Sequence, residues 1–245
     1  ARVLAEQERG QGDVDGAIKV LNDFLASPDG RPLDKTDRLL LVARTLGAIG
    51  SRLSEMGLAA DADGEAAEAE RCKREAERVN REAEGMYRRY VQAKPEQELL
   101  LGTFLAQQGQ VDKAVEVLEN GWRNANSRSL GAAVVTMIVG TGATDAQLSR
   151  VEAVLDKALD ERDNAEALLL AKAELCILQG RDEDAEKLYS DVIQRNANNV
   201  VALNNLAVFL AHRRKDVDKA LEMINKCIEL AGPVSALLDS RGSVH

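Results

Sequence analysis

Side chains that perform chemistry are few and scattered along this chain. Two histidines, His212 and His245, are too few to build a histidine-rich metal centre. Cys72, Cys176 and Cys227 stand far apart, odd in number, each on an apolar helical stripe. That placement suits small reduced core residues rather than a disulfide framework, and a cytoplasmic, reducing compartment is expected. There is no HExxH, no paired CxxC and no GxSxG. "GTG" at 140–142 lacks the lysine and the preceding strand that a phosphate cradle needs. Acidic residues abound, so counting alone leaves a sugar-cleaving carboxylate pair open. Such clefts also need aromatic platforms, and one tryptophan with three phenylalanines supplies few. No catalytic, cofactor-binding or metal-ligating residue is expected, and the chain does not read as an enzyme.

The charge balance narrows the partners. Net charge is −9, with no basic stripe of the kind that follows a phosphate backbone, so nucleic acid is not an expected partner. "HRRK" at 212–215 falls where a helix should end, and cations are favourable there. No apolar run is long enough to span a bilayer, so no membrane insertion by this segment is expected.

Alanine, leucine, glutamate, lysine and arginine dominate, and only four prolines interrupt them. That mix favours helix almost everywhere. "GAAVVTMIVG" at 131–140 comes nearest to a strand, but its repeat register argues for helix. The register is visible around Leu203, Leu206, Ala207 and Leu210, followed by Ala220, Ile224 and Cys227. One fixed step earlier in the chain, the first set recurs as Leu169, Lys172, Ala173 and Cys176. Ala185, Tyr189 and Val192 follow it, slightly closer than their counterparts because "AHRRKD" carries an insertion. The same step again leads to Val135, Ile138, Val139 and Gly142, then Val151, Leu155 and Ala158. Looser echoes occur at Leu101, Gly102 and Leu105, at Ala114, Leu118 and Gly121, near Leu4 and Ala17, and at Leu238, Gly242 and His245. The turns agree: Gly109 and Gly180 can take the left-handed cap, and Thr144 with Gln147 fits a capping box.

This pattern resembles the tetratricopeptide repeat, a helix–turn–helix unit of about 34 residues, over nearly the whole chain. The resemblance implies an all-α fold: a right-handed superhelix of stacked antiparallel helix pairs forming one domain over 1–245. Its expected repeats are about 1–32 (partial), 33–94 (elongated), 95–131, 132–165, 166–199, 200–234 and 235–245 (first helix only). Small residues at Ala173, Ala185, Ala207 and Ala220 let helices approach, and stacking buries a stripe that one unit alone cannot. An unpaired apolar stripe at each end points to a piece of a longer array. Trp122, Tyr87, Tyr90 and Tyr189 occupy packing slots and are expected to be buried.

Residues 33–94 break the period. The step from Gly47 to Ala83 is three times that from Ala173 to Ala185. Ala69, Cys72, Ala76, Val79, Ala83, Met86 and Tyr90 keep a heptad beat, as do Leu39, Val42, Leu46, Ile49, Leu53 and Met56. Facing heptad stripes, one mostly small and one mostly large, predict a long antiparallel hairpin packed like a short coiled coil. Gly57 and Gly64 bracket its expected turn, and Glu70–Arg74 and Glu77–Arg81 are spaced as i,i+4 ion pairs. The hairpin reads either as an elongated repeat leaning on its neighbours or as a contact arm for a partner or a second copy.

In the family so resembled, first helices line a concave groove that holds segments of other proteins. Here that face is expected to comprise Leu99, Thr103, Ala106, Ala133, Thr136, Gly140, Leu170, Glu174, Val201, Asn204 and Val208. It is mostly small and apolar. A clamp for a terminal carboxylate needs cations, and only Asn204 and Asn205 stand where they could serve one. The reading is an interaction scaffold for a peptide or helix of another protein, with no cofactor. The alternatives are a self-assembling module that uses the hairpin, or a regulatory segment of a larger protein.

Overall fold

The computed structural model describes residues 14–26, 34–138, 142–162 and 165–244. These form twelve α-helices, with no strand among them. Leu4, Val139, Gly140 and His245 lie outside the described residues. The chain divides into two compact units, residues 1–110 and 111–245.

The first unit holds α1 (Val14–Ala26), α2 (Lys35–Ala62), α3 (Ala66–Ala93) and α4 (Leu99–Gln107). α2 and α3 are 28 residues each, about 42 Å at 1.5 Å per residue. They pack antiparallel, because large residues on one meet small residues on the other. Leu39, Val42, Leu46, Ile49 and Leu53 of α2 are buried, as are Cys72, Ala76, Val79 and Ala83 of α3. Each large side chain removed from water contributes about 1.5–3 kcal/mol. The exposed ion pairs along α3, such as Arg74–Glu70, are worth about 0.3–0.5 kcal/mol each, so packing decides the association. Beyond Ala83 the buried residue is Tyr87 rather than Met86, which is half-buried. A straight helix of 3.6 residues per turn drifts off a strict heptad in this way.

The turn differs from the expected one. α2 continues through "LAADA", whose leucine and alanines are good helix formers, to Ala62, and Gly64 makes the turn at φ 80°. Gly57 lies inside α2, where it permits close approach: a Cβ there would meet Cys72 Cβ at 3.3 Å and Ala69 O at 3.4 Å. Of the two spaced ion pairs, Arg74–Glu70 forms at 3.4 Å, and Glu77–Arg81 does not.

The second unit holds α5 (Val111–Gly121), α6 (Ser127–Ile138), α7 (Asp145–Glu161), α8 (Glu166–Leu178), α9 (Asp182–Arg195), α10 (Val200–Phe209), α11 (Val217–Ala231) and α12 (Ser235–Val244). α8 packs on α9, α9 on α10, α10 on α11 and α11 on α12. Across pairs, α5 lies against α7, α6 against α8 and α10 against α12. This is stacking in chain order. The anticipated notches Ala173, Ala185, Ala207 and Ala220 are fully buried, and one apolar cluster joins them to Cys176, Tyr189, Leu206, Leu210 and Ile224. The Thr144–Gln147 capping box opens α7, Gln147 N donating to Thr144 Oγ1 at 3.3 Å and Thr144 N to Gln147 Oε1 at 2.8 Å. Gly180, at φ 72°, ends α8, and Arg181 N donates to Cys176 O at 2.8 Å.

The extra residue in "AHRRKD" is absorbed by a single π-helical turn, Leu210–Arg214, that ends on Lys215 at φ 59°. A π turn inserts one residue into a helix without breaking it. At the last helix, Leu237 and Val244 are buried rather than Leu238 and Gly242. These lie one full repeat period after Leu203 and Leu210, so the π turn leaves the first-helix spacing unchanged.

α6 begins earlier than the expected boundary at 132. Asn126 Oδ1 accepts Ser129 N at 2.8 Å, an N-cap that starts the helix at Ser127. Leu130, Ala133, Val134 and Met137 form its buried stripe; Val135 is half-buried, and Gly142 is an exposed loop residue at φ 61°.

Candidate partner-binding face

Three of the expected inward positions are core. Leu99, Ala106 and Ala133 are 4%, 1% and 0% exposed. α4 is apolar on nearly every side, and a helix of that kind is buried all round. Ala133 lies on the buried stripe of α6 with Leu130, Val134 and Met137. Thr103, also in α4, is half-buried, with its hydroxyl donating to Leu100 O at 2.9 Å. Thr136 is half-buried, its hydroxyl donating to Ala132 O at 2.9 Å.

The remaining positions gather on α8 and α10. Helical spacing puts Leu170 and Glu174 on one face of α8, and Val201, Asn204 and Val208 on one face of α10. Leu170, Glu174, Asn204 and Val208 are half-buried, while Val201 is 56% exposed. The same stripe on α8 continues to Leu178, 51% exposed. That residue is absent from the expected face, although the i+4 step from Glu174 points to it.

Side-chain hydrogen bonds tie α8 to α10. Asn199 Nδ2 donates to Glu166 Oε2 at 2.6 Å, and its Oδ1 caps α10 by accepting Ala202 N at 2.9 Å. Asn205 Nδ2 donates to Glu174 Oε1 at 2.9 Å, and the Tyr189 hydroxyl of α9 donates to the same oxygen at 2.6 Å. Burial, then the neighbouring Glu174 charge, holds the Tyr189 phenol well above its usual range. Glu174 is therefore committed to a structural node rather than free for a ligand. Lys172, where the repeat pattern calls for a large apolar residue, reaches Asp156 as an ion pair. Asn204 differs: its Oδ1 is buried and has no hydrogen-bond partner. A buried acceptor without a donor is costly to the fold.

Trp122 is buried, with the Arg123 and Arg162 guanidinium groups 5.2 and 5.4 Å from the ring centroid. Arg162 Nη2 also donates to Trp122 O at 2.9 Å, which clips the loop before α6 to the end of α7. Tyr87 and Tyr90 are buried too, Tyr87 against Phe104 at 4.8 Å between ring centroids. Among the described residues no group of three or more histidine, cysteine or acidic side chains is placed to hold a metal. Nor is any described helix long and apolar enough to cross a membrane.

No family model and no curated protein sequence matches the chain. Solved structures do. A thermophilic tetratricopeptide-repeat protein of Thermus thermophilus, TTC0263, is similar at 17% identity and a TM-score of 0.54, over 80% of this chain and 98% of that one. The fold is that of tetratricopeptide-repeat proteins. Weaker likenesses are YrrB, a tetratricopeptide-repeat protein with an unusual peptide-binding site (15% identity, TM-score 0.43, 78% and 90% covered), and a human IFIT1 dimer with PPP-AAAA (17%, 0.48, 95% and 53%). At such identities the likeness speaks to fold alone.

Proposed function

We propose that this tetratricopeptide-repeat chain is a protein-interaction scaffold. Its α8–α10 face binds an apolar segment of another protein. The observation that supports this is the composition of the face: Leu178 and Val201 are half exposed, and Leu170 and Val208 are half-buried. Apolar contacts supply the affinity. None of the face residues named is a cation, which argues against recognition of a terminal carboxylate. The reading carries no catalytic step.

The experiment is affinity capture from the source lysate with wild type and Val201→Glu, both checked for helicity, followed by binding measurements on the captured proteins. Val201 is exposed, so the variant folds, while a carboxylate in an apolar contact weakens binding about tenfold or more. Recovery of the same proteins with the same affinity by both forms overturns the reading.

A further inference from the structure

The hairpin of the first unit carries a second, independent surface. A groove of about 790 Å³ runs along the seam of α2 and α3. Its floor is small, formed by Gly57, Ala69 and Ala76, and Leu58 stands on its rim at 73% exposure. α4 ends at Gln107, and Asn80 of α3 donates to the Gln108 side chain at that level.

Along its edge lie Glu70, Lys73, Glu77 and Arg81. Most charges of α3 pair within the chain: Arg71 with Glu68, Arg74 with Glu70, Arg78 with Glu75 and Asp15, and Arg88 with Glu84. Lys73, Glu77 and Arg81 are exposed and make no ion pair or hydrogen bond among the described residues. Lys73, Glu77 and Arg81 border the groove in alternating sign, whereas Glu82 and Arg89, also without an ion pair among the described residues, do not line it. The series is self-complementary when reversed. About a two-fold axis near Glu75 and Ala76, Lys73 meets the Glu77 of a second copy, Glu77 its Lys73, Arg81 its Glu70 and Glu70 its Arg81.

We propose that the occupant of this groove is a second copy of the chain, docked with α3 antiparallel to α3 about a two-fold axis. The contact is isologous, which is how most homodimers close. The small floor lets the helices approach, burial removes Leu58 from water, and the alternating charges set direction and register.

The test is sedimentation velocity on the whole chain up to ~100 μM, in low salt. Wild type sediments as a dimer. Lys73→Glu and Glu77→Lys each place like charges together at two symmetric positions and weaken the dimer about tenfold or more. The double variant Lys73→Glu/Glu77→Lys exchanges both signs and restores it, a rescue that a merely structural role does not give. Both side chains are exposed, and circular dichroism verifies folding. A monomeric wild type overturns the proposal. A dimer indifferent to the single reversals, or not restored by the double, places the interface elsewhere and also overturns it. Since Val201 belongs to another surface, loss of partner capture leaves this result unchanged.

Discussion

The Tyr189 hydroxyl donates to Glu174 Oε1 at 2.6 Å, joining α9 to α8, and Asn205 of α10 donates to the same oxygen. Tyr189 is fully buried. Three helices from two successive repeats thus share one carboxylate oxygen. Tyr189→Phe keeps the ring and removes one donor to a half-buried carboxylate. It should lower unfolding stability by about 1–3 kcal/mol, read from urea denaturation. A change within error would show the node to be dispensable.

Two helical glycines should respond to alanine in opposite directions. A Cβ on Gly131 of α6 would stand 2.5 Å from Ala167 O of α8, a backbone atom that cannot swing away. Gly131→Ala should therefore destabilise by about 1–3 kcal/mol. Gly85 of α3 has nothing within 4 Å of its built Cβ, so Gly85→Ala should stabilise by about 0.5–1 kcal/mol through helix propensity. Melting both variants beside wild type checks the pair, and equal shifts of one sign would refute the packing described for α6 and α8.

The three cysteines are buried, and desolvation raises each thiol above its ordinary 9.0. Tyr189 lies above its ordinary 10.0 for the same first cause. A pKa raised by folding leaves its stability contribution intact below the unfolded value and removes it as pH climbs through the folded one. These groups should make stability fall once pH passes about 9, measured as a declining urea midpoint. Native thiols should resist a thiol reagent at neutral pH and react only on unfolding. Rapid modification of folded protein would contradict their burial.

At the acid end the sign reverses. Arg150 donates to Glu119 at 2.9 and 2.6 Å and holds its carboxyl below the ordinary 4.5. This contribution is present above the unfolded value and is lost as pH falls through the depressed one. Both side chains are more than a third exposed, so water screens the pair to about 1 kcal/mol or less. Glu119→Gln should flatten the acid limb of the stability profile slightly, and an unchanged limb would assign the acid response to other carboxylates.

Local periodicity by itself determined the helices, the repeat period, the notches at Ala173 and Ala207, the long hairpin from its heptads, and the cap at Thr144. Each depends on neighbours within a turn or two of the chain, or on which stripe of a helix is apolar, and these are written in spacing. The tertiary structure alone decided which flank of each stripe stays open. Leu99, Ala106 and Ala133 sank into the core, Glu174 was taken by Tyr189 and Asn205, and Glu77 and Arg81 were left unpaired beside an open seam. A side chain's exposure depends on what a helix from elsewhere in the chain covers. Which helix lies against which stripe is set across distances that no local pattern encodes.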